Sequence, residues 1–438
     1  MIARVDGPRR RKAPSWGPRG IIFRPVKNIL ALIVPDEPPL ELQIVGRTLL
    51  HAALVGLVAG IMGSAFLWAL EHVQGVMLED LCGYIPLRAA GQFVKTEATT
   101  TEFRWYFLIF VPALGGLLCG LLTRKAPETR GGGGDAAIEA FHYKGGDVPT
   151  RVLWVKPAAS IATLGTGGSG GREGPTMQIG AAIGSAVGRY LSLTGRERRT
   201  LMVAGIAAGI SAVFRTPLGA ALLAIEVLYR DDFESEALIP AVLASVIAYS
   251  VALSVFGTEP LFGNLPRYPF HPKQLPLFVL LALAISAFAV LFEKTLELTR
   301  KGFSQLAVPD WARPALGGLG LGIFVVLLMF TVDPWIGNFH RGMGVLGGGF
   351  GAAQVAITGA PWVAPGWTTV ELLLLLAVAK IAAVSLTIGS GGSAGDFAPT
   401  VAIGGLIGGA FGGAMRLMLN DPSIQPGAFA LVGMAAFY

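Results

Sequence analysis

Four apolar stretches, 49–70, 107–122, 276–292 and 316–330, each come close to the roughly 20 residues that carry an α-helix across a bilayer. One such stretch would fit the buried helix of a soluble core; a series of them does not. Lipid offers no partner to a backbone N–H or C=O, so a chain of this kind crosses membranes as helices whose hydrogen bonds are internal. Charge agrees. Only 14% of the residues are charged and 53% are hydrophobic, whereas soluble domains carry about 25% charged residues. The predicted class is therefore all-α, a polytopic membrane protein with the lipid bilayer as its medium.

The 60 glycines add a second constraint. Small residues let membrane helices approach closely. They also allow a helix to break, which is tolerated at membrane depth only where protein or a water-filled cavity covers the break.

The net charge of +6 is largely local, because Arg4, Arg9, Arg10, Arg11, Lys12, Arg19, Arg24 and Lys27 crowd the N-terminus. That segment has no apolar centre of a cleaved signal peptide. The positive-inside rule places it on the cytoplasmic side of an inner (plasma) membrane, as a topology signal and not a nucleic-acid-binding arm. Arg124, Lys125 and Arg130 follow the second apolar run, so the chain is expected back in the cytoplasm there, with 78–102 outside. Cys82 in that outer loop and Cys119 in a helix make no disulfide framework.

The expected organisation is an arm at 1–44, a first half at 45–257, a Pro- and Gly-rich connecting loop at 258–273 and a second half at 274–438. The halves resemble each other. Gly171-Arg172-Glu173-Gly174-Pro175-Thr176-Met177-Gln178-Ile179-Gly180 aligns with Gly395-Asp396-Phe397-Ala398-Pro399-Thr400-Val401-Ala402-Ile403-Gly404, and each follows a glycine-rich run. Later, Gly205-Ile206-Ala207-Ala208 matches Gly433-Met434-Ala435-Ala436. The first half continues through Phe214–Gly219 to Glu226, while the second stops at Tyr438, so the sequence is expected to lack the last helices of the second half. Duplicated transporters place their substrate at the repeat interface, where broken helices aim their N-termini at it. Whether the repeats are parallel or inverted is left open by the residues themselves.

Glu173 is the most unusual ionisable residue. It follows a glycine run and heads an apolar helix with Pro175 in the first turn. A helix start presents unpaired N–H groups and a positive dipole end, which together make an anion site. A carboxylate inside a membrane domain is costly and by default functional. Here it would occupy the site itself and leave when protonated; the bland alternative is a simple cap. The second half has Phe397 at that position, so its helix start would be a fixed anion cradle, with Asp396 as a cap. A third glycine run, 131–134, precedes Asp135-Ala136 and is either another helix start or a flexible loop.

Gly167-Gly168-Ser169-Gly170-Gly171 fits G-x-S-x-G, which raises an intramembrane serine protease. It would need a histidine, and His51, His72, His142, His271 and His340 fall mostly near element boundaries or in loops. No metal-ligand cluster, Walker loop or dinucleotide fingerprint appears, so no cofactor is expected. A regulatory or scaffold protein without transport is a third reading.

The stretch Gly165 to Gly180 resembles the GREGP signature of the CLC family of chloride channels and chloride/proton antiporters. Gly395-Asp396-Phe397-Ala398-Pro399 resembles their GxFxP signature, and Phe214–Gly219 with Ile225-Glu226 also fits. The likeness runs from about Val45 to Tyr438. It implies an inverted-repeat fold with broken helices meeting at the midplane, a homodimer with one pore per subunit, and small-anion transport without enzymatic activity. It implies that Glu173 gates the pathway, that the N–H groups of Asp396 and Phe397 hold the central anion, and that Arg172, Glu173 and Gly174 line the outer site.

Three departures qualify these expectations. The family's GSGIP serine aligns with Gly133, which opens anion preference to fluoride or nitrate as alternatives to chloride. The inner proton-relay glutamate is replaced by Val227, next to Glu226, so a channel-like or weakly proton-coupled mode is expected, although Glu226, Asp231, Asp232 and Glu234 offer a rerouted relay. The family's pore tyrosine belongs to a later helix, and Tyr438 is not it.

Overall fold

The structure is a computed structural model that describes residues 40–92, 101–230, 232–263, 265–269, 271–336, 342–360 and 362–437. The basic arm through residue 39, Asp231, His340 and Tyr438 lie outside the described residues. The chain divides into two units, Met1–Arg47 and Thr48–Tyr438. The first is described only over 40–47, where it is helical. The second carries the helical domain and the candidate pathway.

The chain forms fourteen α-helices among the described residues. The first half holds α1 (Leu40–Gln74), α2 (Trp105–Thr123), α3 (Gly134–Tyr143), α4 (Val152–Gly165), α5 (Glu173–Tyr190), α6 (Gly195–Phe214), α7 (Pro217–Glu226) and α8 (Leu238–Phe256). The second holds α9 (Leu275–Gln305), α10 (Arg313–Ile336), α11 (Phe350–Thr358), α12 (Trp367–Gly389), α13 (Phe397–Met418) and α14 (Pro426–Ala436). All four apolar stretches fall inside helices, and seven segments are long and apolar enough to cross a bilayer. Strands are absent from the described residues, which carry isolated bridges such as Ser169–Gly347 and Gly171–Gly395.

Local chemistry sets several of these boundaries. Thr194 and Glu197 form a reciprocal capping box that starts α6. Pro217 and Pro426 open α7 and α14 at positions where the missing N–H costs nothing. Of the segment expected outside the membrane at 78–102, residues 78–92 and 101–102 are described. It begins as a π-helical continuation of α1, Gly75–Leu81, and Leu78, Cys82 and Tyr84 are fully or almost fully buried.

Glycine brings the helices close. Gly180 of α5 and Gly205 of α6 face each other so tightly that a Cβ on either would collide with the other's carbonyl oxygen. Gly404 of α13 and Gly433 of α14 do the same in the second half. These contacts are the two matching stretches found in the sequence, so the duplication is a duplication of packing.

Candidate anion pathway

The glycine runs before α5 and α13 meet head to head. Gly171 N–H donates to Gly395 C=O at 2.6 Å, and Gly395 N–H donates to Gly171 C=O at 2.7 Å. Around this pair the bonds come in matched sets. Ser169 N–H donates to Thr387 Oγ1 at 3.0 Å, and Ser393 N–H to Thr163 Oγ1 at 3.2 Å. Ser169 Oγ donates to Val345 C=O at 2.7 Å, and Ser393 Oγ to Thr129 C=O at 3.1 Å. Each half thus holds the other by equivalent residues, the arrangement that a two-fold relation between inverted repeats requires.

Two buried lysines complete the set. Lys156 Nζ donates to the carbonyls of Thr129 (3.1 Å) and Gly131 (2.6 Å). Lys380 Nζ donates to those of Val345 (2.9 Å) and Gly347 (2.5 Å). Both are buried among apolar helices, and carbonyl bonds satisfy a charge that would otherwise be costly there. Neither lysine, nor the helix start at Gly349-Phe350, stands out as functional in the sequence. The available signal is spacing: Lys156, Thr163, Ser169, Gly171 and Glu173 match Lys380, Thr387, Ser393, Gly395 and Phe397 at one constant offset.

Glu173 is the first residue of α5 and is 4% exposed. Its carboxylate reaches over Gly171 toward the α13 start, with the backbone N–H groups of Glu173 and Ala398 turned toward it. Neither oxygen completes a hydrogen bond. A buried carboxylate with incomplete bonding, at the start of a helix and facing a second helix start, has little to hold it if an anion competes for the same N–H groups.

The third glycine run is a helix start and not a flexible loop. Gly133 is the N-cap of α3 with φ +92°, a conformation that disfavours any side chain. A Cβ at Gly133 would also lie 2.8 Å from Gln178 Cβ, so the absence of a serine there is matched by the packing. Gly174 sits between the other runs: a Cβ on it would be 2.6 Å from Gly132 O and 3.0 Å from Gly395 Cα. The starts of α3, α5 and α13 therefore converge on one spot.

Arg172, expected to line the outer site, pairs through its guanidinium with buried Glu71 at 2.8 Å and lies 5.8 Å from the Phe350 ring centroid. Asp396 does not cap α13. Its backbone (φ −102°, ψ −16°) is already near helical, and its side chain is exposed and makes no cap bond, whereas a capping side chain needs an extended backbone. Phe397 packs edge-on against Phe214 at 5.2 Å and shares a cavity with Glu226 and Val227 at the end of α7. Ser169, the serine of the protease reading, is fully buried with its hydroxyl committed to the Val345 carbonyl, so it is not presented as a nucleophile.

The family model for voltage gated chloride channels matches residues 115–438. The chain belongs to this family, the CLC proteins. It is 30% identical over 394 residues to an H(+)/Cl(-) exchange transporter ClcA of Vibrio vulnificus, covering 88% of this chain and 77% of that one. It is 31% identical over 417 residues to the ClcA of Citrobacter koseri, covering 93% and 79%. Among solved structures, a slow cyanobacterial Cl-/H+ antiporter superposes with TM-score 0.71 at 23% identity, over 89% of this chain and 85% of that one. A CLC-type fluoride/proton antiporter superposes with TM-score 0.69 at 23% identity, over 92% and 89%. At such identity the structures speak for the fold, which is the CLC inverted repeat. As a CLC protein the chain is a multi-pass membrane protein for anion transport and not an enzyme.

Proposed function

We propose that this CLC protein carries a small anion, chloride foremost, across the membrane past the convergence of α3, α5 and α13, with the Glu173 carboxylate as its gate. The observation that carries the reading is that carboxylate, buried and incompletely bonded between two helix starts. The N–H groups of Asp396 and Phe397 form the fixed cradle, and Gly133 and Gly174 keep side chains out of the path. Arg172 acts on the outer side through its charge.

Val227 supports a channel-like mode with weak proton coupling, because no carboxylate stands at that position to pass protons. A second reading, a proton-coupled antiporter, is favoured by the ClcA relatives, named as H(+)/Cl(-) exchangers. It is also favoured by the cavity that joins the exposed Glu226 to Phe397. The decisive experiment reconstitutes the protein in liposomes and records anion flux, proton flux and reversal potential together. Anion flux without matching proton movement supports the channel-like mode. Proton movement in fixed ratio, driven uphill by an anion gradient, overturns it in favour of the antiporter. Fluoride and nitrate belong in the same assay as competing substrates. A homodimer with two pathways and a cytoplasmic N-terminus in a bacterial inner membrane complete the proposal. Cross-linking and accessibility labelling of the basic arm test these.

A further inference from the structure

A small cavity of about 50 Å³ opens beside the start of α11, lined by Glu71, Gln74, Arg88, Arg172 and the backbone of Gly347–Gly349. That is more than the roughly 10–15 Å³ of such space that a single water needs. Three features bear on whether it takes an anion.

The first is backbone direction. In a planar trans peptide the C=O and the following N–H point opposite ways. The Gly347 carbonyl turns inward to Lys380 Nζ at 2.5 Å and Gly170 N–H at 3.0 Å. The Gly348 N–H therefore points away from Lys380 and Gly170, on a residue that lines the cavity. The Val345 carbonyl is also held inward, by Lys380 and Ser169, which removes a second negative dipole end from the lining. The first turn of α11 adds its own unpaired N–H groups.

The second is Arg172. It is 8% exposed and lines the cavity; one guanidinium nitrogen bonds Glu71, while its buried Nε, like the other Glu71 carboxylate oxygen, has no hydrogen-bond partner among the described residues. A buried cationic donor left open at a helix start is what an anion would complete.

The third is charge. Arg172 and Arg88 are balanced by Glu71 and Glu79, with Arg88 bonded to Glu79 at 2.6 Å and 4.0 Å from Glu71. Lys380 Nζ stands behind the loop, bonded to the Val345 and Gly347 carbonyls.

The duplication strengthens the case. Lys156 holds the Thr129 and Gly131 carbonyls in the same way, which turns the Gly132 N–H toward a cavity lined by Gly131–Gly133 at the α3 start. The loop before α11 is the second-half copy of that arrangement. We propose that the α11 start, with Arg172 in front and Lys380 behind, is an antechamber that holds one halide-sized anion before it reaches Glu173. This rests on the anion-pathway reading above.

The test is anomalous diffraction from crystals of the full chain grown in bromide. Two separate peaks are expected: one between Glu173 and Phe397, and one within hydrogen-bond reach of Gly348 N. In Arg88→Gln, which removes a cavity-lining charge outside the pathway itself, the second peak should lose occupancy several-fold while the first persists. A peak beside Glu173 alone overturns the antechamber and leaves the pathway standing. No peak at either place overturns both. If Arg88→Gln does not fold, Arg172→Gln is read at the second peak alone: lower antechamber occupancy supports the proposal and unchanged occupancy overturns it. A peak seen only at bromide concentrations far above those that half-saturate flux is an adventitious ion only, and also overturns it.

Discussion

Gly171 and Gly395 exchange both of their backbone hydrogen bonds, at 2.6 and 2.7 Å, across the boundary between the two halves. The exchange fixes where two helix starts meet and leaves Glu173 directly beyond the joint. Most of the expected behaviour of the protein stems from that placement.

Protonation neutralises the Glu173 carboxylate and frees it from the positive ends of α5 and α13, so flux should rise as pH falls. A single titrating gate loses about tenfold in open fraction per pH unit once it is mostly ionised. Glu173→Gln should abolish this dependence and keep flux high at alkaline pH. Liposome anion efflux over a pH series measures it, and a pH profile like that of the unmodified protein would remove Glu173 from the gate.

Val227 lies in the cavity shared with Glu226 and Phe397. Val227→Glu places a carboxylate there and should raise the proton-to-anion ratio from its starting value. Simultaneous proton and anion flux recordings check this; an unchanged ratio would mean protons are limited elsewhere.

The two buried lysines should differ in structural weight. Without Lys380, the Val345 and Gly347 carbonyls keep Ser169 Oγ and Gly170 N–H as donors. Without Lys156, Thr129 keeps Ser393 Oγ, but Gly131 has no other donor among the described residues. A buried polar group left unpaired costs about 1–3 kcal/mol. Lys156→Met should therefore melt below Lys380→Met in detergent, and the reverse order would contradict the bonding described.

Gly180→Ala drives a methyl into the Gly205 carbonyl. Overpacking of this kind costs about 1–3 kcal/mol or more. Gly302 is exposed on α9 with nothing near its missing Cβ. Gly302→Ala should stabilise by about 0.5–1 kcal/mol through helix propensity. Paired thermal melts give the contrast directly.

Thr194 caps α6 through its capping box, whereas Asp396 makes no cap bond at α13. Thr194→Ala should cost about 1 kcal/mol. Asp396→Ala should stay within about 0.5 kcal/mol, as surface changes do. The same melting assay separates them.

The sequence is readable where one physical rule dominates. Apolar length marks the spanning helices, and Gly-x-x-x-Pro marks the starts of α5 and α13, because few other signals explain a proline just inside an apolar helix. It is less readable where the partner is distant. Lys156 and Lys380 lie inside apolar helices, and their role appears only when the carbonyls of remote loops arrive beside them. The α11 start carries no charged residue near Gly349, so nothing in its composition points to an anion. Asp396 looks like a cap because residue type suggests capping, but its near-helical backbone angles decide against it.

The reciprocal bonding of the two halves has a mechanical consequence. A protein that alternates by rocking one half against the other needs an interface that slides, and this one is stitched through Ser169, Ser393, Gly171 and Gly395 at the very level of the pathway. Opening by rigid-body rotation would break every stitch together. Such a frame leaves movement to individual side chains, which turn in nanoseconds or less when unhindered, against microseconds to milliseconds for whole domains. With Glu173 as the proposed gate, the moving part of this machine is a few atoms long and its housing stays still.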